Sequence, residues 1–188
     1  MLHAAREVFL EFGASVSTTV IAQRLGISQA ALFKRFGTKH ELLKEALVPR
    51  LDAPWYALAA AGPTEDPIRE QVLALGQGMA AFFQVIIPRV SLLRSCGFKP
   101  QEMFSRPEDM PFVRARRALT AWFDTARNAG RIRECDPSAV ALTLMGALHV
   151  RAFANHIAGA PHDPEAMETY VQEVIQLLWS GLAPSEGE

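Results

Sequence analysis

A short segment near residue 30 combines side chains that can contact DNA. Ser28, Gln29, Ala30, Phe33 and Lys34 supply a hydroxyl, an amide, a methyl, an aromatic ring and an ammonium group. An amide can pair with the edge of an adenine, whereas hydroxyl and ammonium groups bind phosphate oxygens. A short helix that exposes these groups fits the major groove of duplex DNA. The segment therefore predicts a recognition helix.

The residues around this segment have the spacing needed to position it. Ala22 is small enough to let a second helix cross closely, and Gly26 can supply a positive φ in the turn. Ile27 and Leu32 can fill the angle between the two helices. The pattern predicts a helix-turn-helix, although this spacing alone leaves a generic pair of antiparallel helices as the alternative.

The first fifty residues predict several short helices that end at a module boundary. Thr38 and Glu41 have the spacing of a capping box, which opens a fourth helix. Pro49 and Pro54 then interrupt the helical pattern, which places the boundary near 47–53. We therefore predict a DNA-binding domain over 1–47 and an all-α ligand-binding and dimerisation domain over 48–188. The first three helices are predicted over 1–12, 18–25 and 29–36.

The remainder of the chain also predicts helices and no sheet. Three Asp-Pro pairs, at 66–67, 136–137 and 163–164, each place a capping side chain before a proline at the first helical position. Alternating β-branched runs with hairpin turns are absent from the sequence. The predicted fold class is all-α, with irregular connections over 88–111 and 158–163. The long helices are predicted near 68–87, 112–129, 138–157 and 165–181.

Charge and composition narrow the class of protein further. The 188 residues are 49% hydrophobic with a net charge of −1, which excludes a strongly basic nucleic-acid coat protein. Residues 1–50 carry seven Lys and Arg against four Glu, a charge of +3, so the rest carries −4. Two cysteines predict free thiols in a reducing compartment. No signal peptide and no run of about 18 uninterrupted apolar residues is present, so we expect a cytoplasmic protein that does not associate with membranes.

Three runs of the N-terminal sequence resemble one known family. The runs are AAREVFLEFG over 4–13, STTVIAQRLGIS over 17–28 and ALFKRFGTKHELL over 31–43. They closely resemble the DNA-binding domain of the tetracycline-repressor (TetR) family, and the match covers almost all of 2–47. The resemblance implies a homodimeric transcriptional regulator, usually a repressor that binds a palindromic operator and is released by a small molecule. The C-terminal portion is similar to the family only in architecture.

The resemblance also implies a role for individual side chains. Gln29 is the best candidate for reading a base edge, and Lys39 would anchor a phosphate at the start of the fourth helix. Phe33 stands where the family usually has Tyr, so the usual hydroxyl–phosphate hydrogen bond is impossible here. The family often has a basic arm before its first helix; this sequence starts almost inside that helix, so either the chain is truncated or the arm's contacts are missing. The implied DNA-binding residues are Thr19, Ser28, Gln29, Ala30, Phe33, Lys34, Arg35 and Lys39.

The body predicts a mostly apolar effector and a dimer interface. Its aromatic and Met side chains are most simply core, yet a cavity between bundle helices is lined by the same residue types. The candidate ligand-binding residues are Met79, Phe83, Met103, Phe104, Trp122, Phe123 and His149, with Arg94, Arg116, Arg117, Arg151 and Asn155 as possible polar contacts. The helices over 138–157 and 165–181 are apolar on more than one side, which predicts burial against a second copy. The candidate interface residues are Leu144, Leu148, Val171, Val174 and Leu178.

Other functions find less support in the sequence. His149, His156 and His162 lack a further ligand at metal spacing, so we expect neither a metal nor a cofactor. No nucleophile or nucleotide-binding motif is present, and we expect no enzyme activity. Two alternatives remain: a DNA-binding regulator without an inducer, whose body serves dimerisation or a protein partner, and an all-α enzyme or lipid carrier with a degenerate helix-turn-helix.

Overall fold

Ten α-helices and one short 3-10 turn make up the computed structural model, which describes residues 1–49, 53–104, 106–161 and 163–183. No strand occurs within these ranges, so the predicted all-α class is confirmed. The helices are α1 (Leu2–Phe12), α2 (Thr18–Arg24), α3 (Gln29–Phe36), α4 (Lys39–Leu47), α5 (Pro54–Ala61), α6 (Ile68–Ser95), α7 (Pro100–Met103), α8 (Pro111–Asn128), α9 (Pro137–Ile157) and α10 (Pro164–Leu182), and the 3-10 turn is Pro107–Asp109.

The chain divides into two compact units that do not follow its linear order. The first unit contains Met1–Pro49 together with Ile86–Pro107. The second contains the described residues of Arg50–Val85 and Glu108–Glu188. Helix α6 therefore contributes residues to both units, an assignment that a single boundary near 47–53 does not anticipate.

Side-chain caps start α2, α3 and α4, and the cap of α4 is the capping box that the sequence predicts. The hydroxyl oxygens of Ser17, Ser28 and Thr38 each accept an N–H from the third residue that follows, at 3.1 to 3.3 Å. The Glu41 carboxylate in turn accepts the Thr38 N–H at 2.8 Å, which completes the capping box. Such a cap contributes about 1 kcal/mol because it satisfies N–H groups that have no partner within the helix.

One apolar core holds the first unit together. Val8 and Phe9 of α1 are buried in it, and so are Leu42 and Leu47 of α4. Leu93, from the end of α6, is also fully buried there. The Arg6 Nε donates a hydrogen bond to the Ala46 carbonyl at 2.8 Å, which fastens α1 to α4. The segment around residue 93 is therefore part of the core beneath the DNA-binding helices.

The second unit is a helical bundle built on α8 and α9. Leu119, Trp122 and Phe123 of α8 are almost completely buried, and the helix packs against both α5 and α9. Leu144 and Leu148 on α9 are also fully buried. Prolines at the first positions of α8, α9 and α10 start these helices, since a first-turn residue needs no N–H donor.

Two expectations about the middle of the chain are wrong. The segment 88–111 is not irregular, because α6 continues through Pro88 to Ser95 and is followed by α7 and the 3-10 turn. Residues 54–61 form a helix, α5, with Pro54 at its first position, whereas the sequence analysis treats Pro54 only as a break. Leu93 explains the first difference, because its complete burial stabilises a helical turn beyond the proline.

Two helices are long and apolar enough to cross a membrane by length and composition alone. They are Ile68–Ser95 and Pro137–Ile157. Both helices also place side chains in the protein core, among them Leu75 and Met79 on α6 and Leu144 on α9. Core helices of globular proteins meet the same criterion, so these two carry little weight as evidence for a membrane.

Candidate nucleic-acid interface

A tight turn joins α2 to α3 and sets the direction of the second helix. Gly26 has a φ of 66°, a conformation that costs glycine little and other residues more. The Ile27 N–H donates to the Ala22 carbonyl at 3.1 Å, and the Gly26 N–H donates to the Gln23 carbonyl at the same distance. These bonds close the turn that the spacing of Ala22 and Gly26 predicts.

The buried side chains of α2 and α3 decide which face of α3 is presented to solvent. Ile21, Ala22, Leu32 and Phe36 are buried in the core of the first unit. Leu32 and Phe36 lie one turn apart, so the opposite side of α3 must point outward. This exposed face contains Gln29, Ala30, Ala31, Phe33, Lys34 and Arg35, with the exposed cap residue Ser28 beside it.

The side chain of Gln29 is held by a neighbouring helix. Its Nε2 donates a hydrogen bond to the Thr18 Oγ1 at 2.5 Å. Thr19, which the resemblance selects, is exposed but makes no such contact. Thr18 is therefore a site residue that the sequence analysis misses. Two adjacent threonines cannot be told apart by type, and only the orientation of α2 against α3 distinguishes them.

The basic residues of α1 to α4 fall into two groups. Arg6 is tied to α4, and Arg24 makes an ion pair with Glu11 at 3.5 Å while lying over the Phe12 ring. By contrast, the cations of α3 and α4 form no ion pair with any described residue. They are Lys34, Arg35, Lys39 and Lys44, and Arg35 packs only over the Phe36 ring at 5.5 Å. The positive charge available to a phosphate backbone is thus concentrated on α3 and α4.

The candidate ligand-binding residues do not gather at one place. Met103 and Phe104 belong to the first unit, where Met103 packs against the apolar core. Met79, Phe83, Trp122 and Phe123 are buried in the second unit, and His149 is half-buried there. Phe83 and His149 make an edge-to-face contact at 5.3 Å, whereas Trp122 and Phe123 contact each other at 5.1 Å.

The contact of Phe83 with His149 belongs to a longer aromatic series in the second unit. Trp55 on α5 contacts Phe82 at 5.8 Å, and Phe82 contacts Phe83 at 5.9 Å. His149 continues the series to Phe153, with parallel rings 6.2 Å apart. The Trp55 Nε1 is buried and has no hydrogen-bond partner among the residues that the structure describes. Because α5 is not predicted from the sequence, Trp55 is missing from the predicted site.

The predicted interface residues lie mostly inside the subunit. Leu144, Leu148 and Val171 are at most 1% exposed, Val174 is buried, and Leu178 is half-buried. Side chains already buried within one subunit cannot form the surface that meets a second copy. The large apolar side chains that α9 and α10 do expose are Leu142, Val150, Phe153, Ile157 and Leu177.

Within the described residues, no three His, Cys, Asp or Glu side chains are grouped to hold a metal ion. His149 and His156 are both half-buried on α9. His162, the third histidine considered above, lies outside the described residues.

The chain is similar to known bacterial regulators in both sequence and fold. Residues 1–46 match the family model described as bacterial regulatory proteins, tetR family. A TetR-family regulator of Mesorhizobium loti MAFF303099 has a similar fold, with a TM-score of 0.73, 16% identity and coverage of 97% of this chain and 94% of that one. A TetR-family regulator of Pseudomonas syringae pv. tomato DC3000 has a TM-score of 0.65 and 19% identity, and the match covers 98% of this chain and 95% of that one. SmeT in complex with triclosan has a TM-score of 0.67 and 20% identity, and the match covers 99% of this chain and 90% of that one.

No curated protein matches the sequence. The fold and the exposed face of α3 define a helix-turn-helix DNA-binding protein. Its first 46 residues are a tetR-family regulatory domain by the family match, and the chain has a fold similar to those of TetR-family regulators.

Proposed function

We propose that this protein is a cytoplasmic repressor that binds a palindromic operator as a homodimer and is released by a small, mostly apolar molecule. The observation that carries the proposal is the exposed face of α3, where Gln29 is fixed by Thr18 and unpaired cations flank it. A fixed amide binds a base edge more tightly than a mobile one, since less side-chain entropy is lost on binding.

Each of the predicted DNA-binding residues has a role in the proposed complex. Gln29 reads a base edge, while Lys34, Arg35 and Lys39 bind phosphates and set the register of the helix in the groove. The Ser28 Oγ already accepts the Ala31 N–H, but its hydroxyl hydrogen can still be donated to a phosphate. Thr19 contacts the DNA backbone, and Ala30 and Phe33 contact a sugar or a thymine methyl.

The exposed apolar faces of α9 and α10 support the homodimer. Val150 and Ile157 are 64% and 69% exposed, Phe153 lies on the same side of α9, and Leu177 on α10 is 77% exposed. Monomeric proteins rarely expose so many large apolar side chains on neighbouring helices. A second copy related by a two-fold axis would bury the same faces of both subunits. This surface replaces the buried residues that the sequence predicts.

The aromatic series of the second unit supports an apolar effector. Trp55, Phe82, Phe83 and His149 offer the ring surface that such ligands bury. The unpaired Trp55 Nε1 would donate a hydrogen bond to an acceptor on the effector, which removes the cost of a buried donor without a partner. SmeT, whose fold is similar, is known in complex with the small molecule triclosan.

Effector binding would change operator affinity only if it favours one arrangement of the DNA-binding helices over the other. Coupling of this kind is typically about 1–3 kcal/mol. Helix α4 connects the DNA-binding helices to the rest of the chain, and Pro49 follows its end. We therefore propose that the effector displaces α4 and so alters the separation of the two recognition helices.

Selection of bound duplexes from a random library tests the operator proposal directly. The expected product is an inverted repeat whose half-site centres lie about 34–36 Å apart, or a multiple of that distance. A search for the selected site beside the gene then identifies the operator. Enrichment of no duplex would overturn the proposal and favour the all-α enzyme or lipid carrier.

Calorimetry separates a ligand-responsive repressor from a regulator without an inducer. A compound that raises the melting temperature in a thermal-shift screen is titrated into the protein with and without saturating operator. Linkage requires the duplex to lower the protein's affinity for the compound by the same factor by which the compound lowers its affinity for the duplex. Equal affinities for the compound in the two titrations would leave the regulator without an inducer as the function.

A further inference from the structure

The second unit contains an open groove along α8, and its wall residue Tyr56 makes an edge-to-face contact with Trp55 of the aromatic series, with 6.0 Å between the ring centroids. Helices α5 and α8 and the start of α9 form its walls, and its volume is about 670 Å³. The groove lies opposite the buried face of α8, which carries Leu119 and Trp122. A groove of this size can hold a small organic molecule.

Three arginines on α8 line the groove. Arg114, Arg116 and Arg117 are exposed, and none forms an ion pair or a hydrogen bond with the residues described. The contact that the structure gives Arg114 is with the Tyr56 ring, 5.2 Å from the guanidinium carbon. Arg114 and Arg117, three residues apart, are neighbours on the helix surface, and a bound anion would relieve the repulsion between their charges.

The acidic groups near the groove do not neutralise these arginines. Asp124 lines the groove, but its carboxylate binds the Arg127 guanidinium at 2.6 Å. Asp136 accepts the Ser138 N–H at 2.8 Å and so caps the first turn of α9. The positive charge of the groove therefore comes from α8 and not from the start of α9.

The rest of the lining is apolar or carries a hydroxyl. Ala59 and Ala60 on α5 face Ala118 and Ala121 on α8, which leaves a floor of methyl groups with no large side chain. Tyr56, Thr120 and Ser138 add hydroxyl groups at the walls. Cations above a methyl-lined floor suit a molecule with an apolar body and an acidic group.

We propose that this groove binds a small organic anion, a carboxylate, sulfonate or phosphate attached to an apolar frame. Arg114, Arg116 and Arg117 contact the acidic group, and the alanine floor with the Tyr56 ring contacts the frame. Guanidinium groups bind such oxyanions through paired hydrogen bonds, which makes them better suited than ammonium groups to this role. The inference adds a second ligand site to the apolar site of the proposed function, and it rests on that function only for the consequence of binding.

Two fluorescent probes with one aromatic frame test the site. 8-Anilinonaphthalene-1-sulfonate carries the anionic group, and N-phenyl-1-naphthylamine is the same frame without it. Each is titrated into the full-length protein and into the Arg114→Gln/Arg117→Gln variant. We expect the variant to raise the dissociation constant of the sulfonate about tenfold and to leave that of the neutral amine unchanged.

Arg69→Gln is the matched control. Arg69 is an exposed arginine on α6 in the same unit, and its Nη2 donates a hydrogen bond to the Gln176 Oε1 at 2.9 Å outside the groove. This variant should bind both probes as the unchanged protein does. Ala121→Glu serves as a second variant, because it adds a carboxylate to the groove at an exposed helical position and retains every arginine. This variant should also raise the dissociation constant of the sulfonate.

The outcomes separate this inference from the proposed function. Equal sulfonate affinity in the groove variants and in Arg69→Gln would overturn the anion site, and so would an equal loss of affinity for both probes. Operator binding without any probe is measured on the same proteins by fluorescence anisotropy. Because the groove lies outside the helix-turn-helix, loss of the anion site with retained operator binding leaves the DNA-binding proposal intact.

Discussion

At the residue scale, specificity and affinity reside in different side chains of the first unit. Gln29 and Thr18 form the polar contact that can select a base, whereas the unpaired cations of α3 and α4 can attract any duplex. Phosphate contacts carry no sequence information, while base contacts do. The two groups can therefore be separated by single substitutions.

Replacement of Gln29 should relax specificity. We expect Gln29→Ala to cost roughly 1–3 kcal/mol on the selected operator and to weaken the preference at one base pair in each half-site. Thr18→Val keeps the shape of the side chain but removes the acceptor of the Gln29 amide, so it should reduce the same preference by a smaller amount. Duplex selection repeated with each variant measures both effects.

Gln23→Ala is the control for these variants, because Gln23 is also an exposed glutamine but lies on α2. It should leave the selected sequence as it is. An unchanged consensus with Gln29→Ala would show that α3 is not the helix that reads the bases.

Lys39 should act on affinity alone. Lys39→Ala removes one phosphate contact, so we expect the affinity for all duplexes to fall by a similar factor. The slope of the logarithm of the binding constant against the logarithm of the salt concentration should fall by about one unit. Fluorescence anisotropy over a series of salt concentrations measures the slope. Lys44→Ala, in the last turn of α4, provides a comparison within the same helix. A change in base preference with Lys39→Ala would contradict the assignment.

At the element scale, close packing decides features that residue types do not reveal. Helix α5 packs closely on α6 because Gly78 leaves room for Trp55. A Cβ at residue 78 would overlap the Trp55 Cβ and would lie 3.2 Å from its Cγ. Trp55 is 2% exposed, so it has little space in which to move.

Gly78→Ala should therefore destabilise the protein although alanine favours helix. Overpacking costs roughly 1–3 kcal/mol, which exceeds the gain of about 1 kcal/mol in helix propensity. Gly146→Ala is the control, because a Cβ there meets no atom of the subunit within 4 Å. This control should keep or raise the free energy of unfolding. Urea denaturation followed by circular dichroism measures both, and equal stability of the two variants would refute the packing argument.

At the scale of the whole molecule, an operator with two half-sites requires two recognition helices. The apolar side chains exposed on α9 and α10 are the surface that we assign to the second copy. An inverted repeat and a symmetric dimer imply each other, because each half-site meets one subunit. Disruption of the dimer should therefore weaken operator binding without unfolding the subunit.

Leu177→Glu should separate the dimer. The side chain is 77% exposed in the subunit, so a carboxylate costs little there but would be buried in the dimer. We expect a monomer at micromolar concentration in light scattering and the loss of tight operator binding. Leu58→Glu is the control, since Leu58 is 52% exposed on α5 and should leave the dimer intact. A monomeric Leu177→Glu protein that still binds the palindrome tightly would contradict the model.

Most of the first unit is predictable from its sequence because local chemistry specifies it. Three helices begin after the capping residues Ser17, Ser28 and Thr38, and Gly26 lies in the turn between two of these helices. The capping hydrogen bonds join residues three apart, so their presence depends little on the remainder of the chain. Helix boundaries and the exposed face of α3 follow from these local signals and from the apolar spacing.

Tertiary structure decides what depends on contacts between distant residues. The orientation of α2 against α3 selects Thr18 over Thr19 as the partner of Gln29, and the core of the first unit includes Leu93, which stabilises α6 beyond Pro88. Apolar periodicity identifies α9 and α10 as helices, but it does not distinguish an apolar side chain buried within the subunit, such as Leu144, from an exposed one, such as Leu177. The reason is physical: caps and turns are fixed by interactions over a few residues, whereas burial depends on which surfaces the folded chain brings together.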